Sequence, residues 1–130
     1  MSENTNTPLK LSVHFTLDEM QRSITAEQCG IDNIAYPEAV ENLRNLCVHV
    51  LEPIRKEYGS PIFVNSGFRS SALNMIVGGA KRSYHLFGRA ADVRGSDLIR
   101  FKKVVADLVE RGVIEPAEYI EYSTFIHLAL

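Results

Sequence analysis

The stretch Ser83–Arg94, SYHLFGRAADVR, contains two of the three residues around which we expect the chain to be organised. It carries His85 and Asp92, seven positions apart, and a third polar residue, His127, stands in the final stretch FIHLAL. Two imidazoles and one carboxylate form a three-ligand set that suits Zn²⁺ and leaves a fourth coordination position for water. The spacing alone is weak, because His and Asp seven residues apart are usually unrelated polar residues.

Two short helices are predicted before residue 31. Thr16 and Glu19 have the capping-box spacing, in which each side chain bonds the main chain of the other. Thr25 is predicted to cap the second helix, and Gly30 is predicted to end it.

The longest predicted helix begins at Pro37, where the missing proline N–H has no helical partner to lose. Apolar residues then recur at helical spacing as far as Tyr58: Val40, Leu43, Cys47, Val50, Leu51 and Ile54. Pro53 lies inside this pattern, so a kink or break is expected near Leu51. His49 lies off the apolar stripe and is expected to be exposed.

The second half of the chain is predicted to supply the strands. We expect them at Pro61–Asn65, Arg89–Val93, Tyr119–Tyr122 and Phe125–Leu130, with helices at Ser71–Val77 and from a cap at Ser96 to Gly112. The order predicts an α+β fold with a small, mainly antiparallel sheet flanked by helices. Residues 1–12 are predicted to be a flexible tail and residues 13–130 a single domain.

Composition argues for an ordinary globular protein without a nucleic-acid or membrane partner. The net charge of −2 supplies no overall field for polyanions. A local basic run is interpreted as a solvated face, with a collar for an anionic substrate as the alternative: Lys81, Arg82, Arg89, Arg94, Arg100, Lys102 and Lys103. Cys29 and Cys47 do not form a disulfide framework. The first residues lack signal-peptide features, so the chain is expected to be cytoplasmic as synthesised and to reach a cell wall only by another route.

Several sequence blocks resemble one known family. Residues 83–92 match S-x-H-x-x-G-x-A-x-D, residues 66–70 match S-G-[YF]-R-S, and residues 125–127 match [WF]-[IV]-H. Leu73-Asn74 and Gly78-Gly79 follow in the same order. The sequence therefore resembles the zinc-dependent D-Ala-D-Ala carboxypeptidases and dipeptidases, a family that includes phage cell-wall endopeptidases and shares its fold with the hedgehog signalling domain.

The resemblance implies roles for individual residues. His85, Asp92 and His127 would hold zinc, and Arg69 would stabilise an oxyanion or bind a substrate carboxylate, since a guanidinium offers paired donors and keeps its charge. Ser83 would bind the substrate carboxylate, although it could equally cap the local turn. The implied substrates are peptidoglycan stem peptides.

The general base departs from the family pattern. Many relatives carry a carboxylate three residues before the final histidine, where this chain has Thr124, which cannot act as a base at neutral pH. Glu118 and Glu121 are the alternatives further upstream on the same hairpin. A two-residue loop would pair Ile120 with His127 and bring Glu118 to that face, whereas a longer loop or a bulge would bring Glu121.

Two functions follow from these observations. The first is a zinc metallopeptidase that hydrolyses short peptidoglycan-type peptides, as a D-Ala-D-Ala carboxypeptidase or a cell-wall endopeptidase. The alternative is a zinc-holding module of the same fold that binds cell wall or a partner without cleaving it. Thr124 at the usual base position favours the alternative.

Overall fold

The computed structural model describes residues 9–130. Helices lie at Leu17–Gln21 (α1), Ile24–Cys29 (α2), Pro37–Leu46 (α3), Glu52–Tyr58 (α4), Ser71–Ile76 (α5) and Leu98–Glu110 (α6). A π-helical turn spans Cys47–Leu51 and a 3₁₀ turn spans Tyr84–Phe87. The strands are Ile62–Ser66 (β1), Ala90–Gly95 (β2), Glu118–Glu121 (β3) and Ile126–Ala129 (β4). The predicted α+β fold is confirmed.

Helix-end chemistry explains most boundaries and corrects two predicted caps. The capping box of Thr16 and Glu19 is present. The cap of α2 is Ser23 rather than Thr25, because the Ser23 hydroxyl accepts from the N–H of Ala26 and the helix begins two residues earlier than predicted. The cap of α6 is Asp97 rather than Ser96, and its carboxylate accepts from the N–H of Arg100.

The long helical stretch from Pro37 to Tyr58 is interrupted where the sequence predicted. The N–H of Glu52 bonds the carbonyl of Cys47, five residues earlier, so the chain widens into a π-helical turn. Pro53 explains this change, because it lacks an N–H and its ring clashes with the preceding turn of an α-helix. His49, in the same turn, is exposed as expected.

The four strands within residues 9–130 all pair antiparallel, in the order β1-β2-β4-β3. β2 is therefore central, and all its residues except Arg94 are buried. Helices α3 and α4 and the π-helical turn between them supply much of the core that packs with the sheet, together with Phe101, Val105 and Leu108 from α6. A core of this kind holds the central strand rigid.

The N-terminal residues that are described contact the folded part of the chain. Lys10 forms an isolated bridge with Thr16, and Leu11 is buried. Residues 1–8 of the predicted tail lie outside the described residues. No helix within residues 9–130 has the length and apolar character required to cross a membrane.

Candidate metal centre

Asp92 lies in the middle of the central strand, directly opposite His127 on β4. Residues opposite each other in an antiparallel pair project from the same face of the sheet. Asp92 is only 8% exposed, so its carboxylate is largely removed from water. A buried carboxylate requires compensating partners, and both histidines supply them.

His85 reaches the same face from the 3₁₀ turn before β2. The Ser83 hydroxyl caps this turn by accepting from the N–H of His85, and Gly88 ends it with a positive φ of 69°. The turn directs His85 inward, where the side chain is almost completely buried. The Ser83 hydroxyl therefore has the capping role that the sequence allowed.

The potential ligand atoms of His85, Asp92 and His127 all lie within 4.8 Å of one another. Asp92 Oδ1 is 3.3 Å from His85 Nε2 and 2.8 Å from His127 Nδ1. The structure therefore brings the three sequence-predicted ligands together, although they come from a turn and two strands.

The outer nitrogen of each imidazole is held by an oxygen atom. His85 Nδ1 donates to the carbonyl of Gly67 at 2.7 Å, and His127 Nε2 lies 2.8 Å from Glu118 Oε1. A carbonyl can only accept, so His85 donates from Nδ1, and its Nε2 is the nitrogen that faces Asp92. Outer-shell partners of this kind orient metal-binding histidines. The donor set therefore fits a zinc ion.

The electrostatics of the cluster favour an ionised carboxylate. Burial raises the pKa of Asp92, but the hydrogen bonds from His127 and His85 outweigh it and lower the pKa to about 2. The hydrogen bond to Asp92 raises the pKa of His127 against the effect of burial. Asp92 is thus available as an anionic ligand at neutral pH.

Arg69 lies beside this cluster, between β1 and α5. Its Nη2 atom is 3.7 Å from Asp92 Oδ2, and its main-chain N–H donates to the carbonyl of His85 at 3.0 Å. Burial lowers the pKa of the guanidinium, while Asp92 opposes this shift. Arg69 thus presents a fixed cationic group next to the predicted metal ligands.

The hairpin register separates the two glutamates. Ile120 lies opposite His127, as the two-residue loop predicts. Glu118 contacts His127, whereas Glu121 accepts a hydrogen bond from the Tyr119 hydroxyl at 2.6 Å on an exposed part of the hairpin. Glu118 is therefore the only one of the two that contacts the cluster.

A cleft of about 390 Å³ opens beside Arg69. Its walls include apolar side chains from the loop before α3, the segment before α5 and the 3₁₀ turn: Ile34, Tyr36, Phe68, Leu86 and Phe87. Such a cleft combines apolar contact surface with a nearby guanidinium, which suits a short peptide.

Two buried amides support the site, and neither was among the predicted site residues. Asn33 is buried and bonds the main chain on both sides of Arg69, through the carbonyl of Phe68 and the N–H of Ser70. Asn74 bonds the Arg69 side chain. Asn74 lies in the Leu73-Asn74 motif block and bonds a residue only five positions away, whereas the partners of Asn33 lie 35 and 37 positions away.

Residues 13–129 match the family model described as Peptidase M15. The chain belongs to the peptidase M15 family. A 44-residue segment of this M15 family member is 50% identical to the zinc D-Ala-D-Ala carboxypeptidase of Streptomyces albus G.

That match covers 33% of the M15 family member and 17% of the Streptomyces protein. The chain thus corresponds to much less than two thirds of this relative's length. The family and the relative confirm the predicted resemblance, and together they support a zinc peptidase of the M15 type.

Proposed function

We propose that this protein is a zinc-dependent peptidase that hydrolyses short peptidoglycan-type peptides. The observation that carries the proposal is the convergence of His85, Asp92 and His127 within 4.8 Å, with both outer imidazole nitrogens held by oxygen atoms. The name of the Streptomyces relative supports D-Ala-containing stem peptides as the substrate class.

His85, Asp92 and His127 would hold the zinc ion. Zinc in such a site polarises a carbonyl and lowers the pKa of bound water towards neutrality. Gly67 and Glu118 keep the two imidazoles in their orientations, so the ligand set is preorganised before any metal arrives.

Arg69 is proposed to stabilise the negative charge that develops on the peptide carbonyl oxygen, or to bind a substrate carboxylate. A guanidinium with restricted mobility suits either task, since its donors need no reorganisation during the reaction. The adjacent cleft would accept the rest of the peptide. Ser83 is proposed as a further carboxylate contact at the mouth of the 3₁₀ turn, in addition to its capping bond.

Glu118 is proposed as the general base, which takes a proton from the attacking water at its carboxylate. It contacts the cluster through His127 Nε2, and its side chain is 42% exposed, so water can reach its carboxylate. A positioned carboxylate that transfers a proton typically contributes about 10²–10⁴-fold in rate.

The test combines metal analysis with product identification. Purified wild-type protein should contain about one zinc per chain and release D-Ala or a dipeptide from muropeptides, as detected by mass spectrometry. His85→Ala and His127→Ala should lose zinc and activity together. His49→Ala is the matched control, because His49 is exposed on the π-helical turn, and it should retain both.

Two outcomes would contradict the proposal in different ways. Full zinc occupancy in His127→Ala would show that the ligand set is wrong. Zinc-loaded wild-type protein that binds muropeptides without cleaving them would favour the non-catalytic module, which the Thr124 substitution for the usual carboxylate also favours.

A further inference from the structure

Asn74 is a buried amide between Arg69 and the turn that follows α5. It is 5% exposed. Its Oδ1 accepts from Arg69 Nη1 at 3.2 Å, and its Nδ2 donates to the carbonyl of Ala80 at 3.0 Å. The amide therefore links the guanidinium to the main chain of the loop that leads to Ser83 and His85.

These two neighbours require opposite hydrogen-bonding groups. A guanidinium only donates, and a carbonyl only accepts. A carboxamide supplies one acceptor and one donor in a single planar group, so asparagine satisfies both partners. Aspartate would keep the acceptor and lose the donor, and leucine, of similar size, would lose both.

The turn after α5 packs tightly against this contact. A Cβ atom on Gly79 would lie 2.1 Å from Asn74 Oδ1 and 2.8 Å from Arg69 Nη1. The Gly79 N–H also donates to the main-chain carbonyl of Asn74 at 2.9 Å. Only a residue without a side chain fits here, so the backbone encloses the amide–guanidinium pair.

The three nitrogens of the guanidinium each have a neighbouring oxygen. Nε donates to the Ser66 hydroxyl at 3.2 Å, Nη2 faces Asp92 at 3.7 Å, and Nη1 donates to Asn74. Ser66 and Asp92 both lie on the sheet, whereas Asn74 holds the group from α5. Removal of Asn74 would leave the guanidinium tethered from the sheet side only.

We propose that Asn74 is a positioning residue that fixes the orientation of the Arg69 guanidinium beside the metal ligands. This proposal rests on the proposed role of Arg69 for its effect on catalysis, but the orientation of the side chain can be measured independently. A catalytic group must be held within a fraction of an ångström of its productive position, so loss of one of three contacts is expected to slow the reaction.

The first experiment does not depend on activity. The Arg69 Nε–H resonance of zinc-loaded protein is assigned in ¹⁵N NMR spectra by its loss in Arg69→Ala. Asn74→Ala should shift and broaden this resonance. Asn42→Ala is the matched control, because it removes an amide bond to another main-chain carbonyl, that of Phe87, and it should leave the resonance unchanged. An unchanged resonance in Asn74→Ala would overturn the proposal whatever the activity.

The second experiment is a double-mutant cycle on peptide hydrolysis. Arg69→Ala should lower kcat/KM by about 10²–10³-fold and Asn74→Ala by about 10–100-fold. If Asn74 acts through Arg69, the double variant should match Arg69→Ala within about threefold. Losses that multiply would overturn the proposal, since a merely structural role of Asn74 would be independent of Arg69.

Asn74→Asp and Asn74→Leu test the same idea if the alanine variant does not fold. The aspartate variant keeps the acceptor for Arg69, and it should retain the Nε–H resonance and more activity than the leucine variant. Equal losses in both variants would overturn the proposal. Wild-type protein without any hydrolysis would refute the proposed function instead, and the NMR comparison would still decide the role of Asn74.

Discussion

At the residue scale, the chemistry of the candidate metal site depends on the contacts of single side-chain atoms. The three candidate zinc ligands could be predicted from residue types and motif blocks. The two carboxylate candidates differ by three positions on one strand, and their different environments follow from the hairpin register. Glu118 lies 2.8 Å from His127, and Glu121 instead accepts from Tyr119.

Glu118→Gln should lose about 10²–10⁴-fold in kcat and keep its zinc. The amide oxygen of glutamine can still accept from His127 Nε2, but it cannot take a proton from water. Glu121→Gln is the control and should remain close to wild type. Steady-state kinetics with metal analysis would check both variants, and a fully active Glu118→Gln would remove Glu118 from the mechanism.

At the element scale, the 3₁₀ turn Tyr84–Phe87 determines where His85 points. Gly88 ends this turn with a φ of 69°, and its N–H donates to the carbonyl of His85. A Cβ atom at Gly88 would lie 2.4 Å from the carbonyl oxygen of Ala39 on α3. The turn is thus tied to the long helix as well as to β2.

Gly88→Ala should therefore lower the free energy of unfolding by about 3–5 kcal/mol and weaken zinc binding, because backbone strain and a steric clash act together. Gly112→Ala is a matched control. Gly112 has a similar φ of 70°, but a Cβ there meets no atom within 4 Å. It should cost only about 1–2 kcal/mol for the left-handed conformation and leave zinc affinity unchanged. Urea denaturation and zinc titration would distinguish the two, and equal costs would contradict the packing argument.

At the scale of the whole molecule, Glu52 joins the start of the domain to the long helical stretch. Its carboxylate accepts from the Ser12 hydroxyl at 2.6 Å and from the main-chain N–H of His14 at 2.7 Å, and His14 Nδ1 lies 2.7 Å from its other oxygen. Burial raises the pKa of Glu52, but the hydrogen bonds from Ser12 and His14 outweigh burial and lower it below 4.5.

A lowered pKa in the folded state stabilises the fold above the unfolded pKa, and this stabilisation is lost as pH falls through the folded value. Glu52→Gln should therefore reduce the free energy of unfolding by about 1 kcal/mol near neutral pH. The effect is small because solvent screens this carboxylate. The difference from wild type should shrink as the pH falls below the ordinary pKa of a glutamate and through the lowered pKa of Glu52. Urea midpoints across this range would check it. Glu57→Gln, an exposed carboxylate on the same helix, is the control, and a constant difference for Glu52→Gln would contradict the linkage.

The sequence by itself determined the α+β class, the capping box at Thr16, the start of the long helix at Pro37 and its interruption before Pro53. The capping box, the helix start and the interruption depend on neighbours within about five residues, so local hydrogen bonding and side-chain periodicity are sufficient to predict them. The α+β class follows from the order of the predicted helices and strands along the chain. The motif blocks also identified the family and the three residues that could bind zinc.

Only the tertiary structure decided which groups surround those residues. The oxygen atoms that hold the outer imidazole nitrogens, the choice of Glu118 over Glu121 at the cluster, and the contacts of Asn33 depend on residues that are separated in the chain. Sequence spacing contains little information about such contacts, because register and packing must first bring the elements together. The residue types of the site can therefore be recognised in short motif blocks, whereas the distances between them are set by the complete fold.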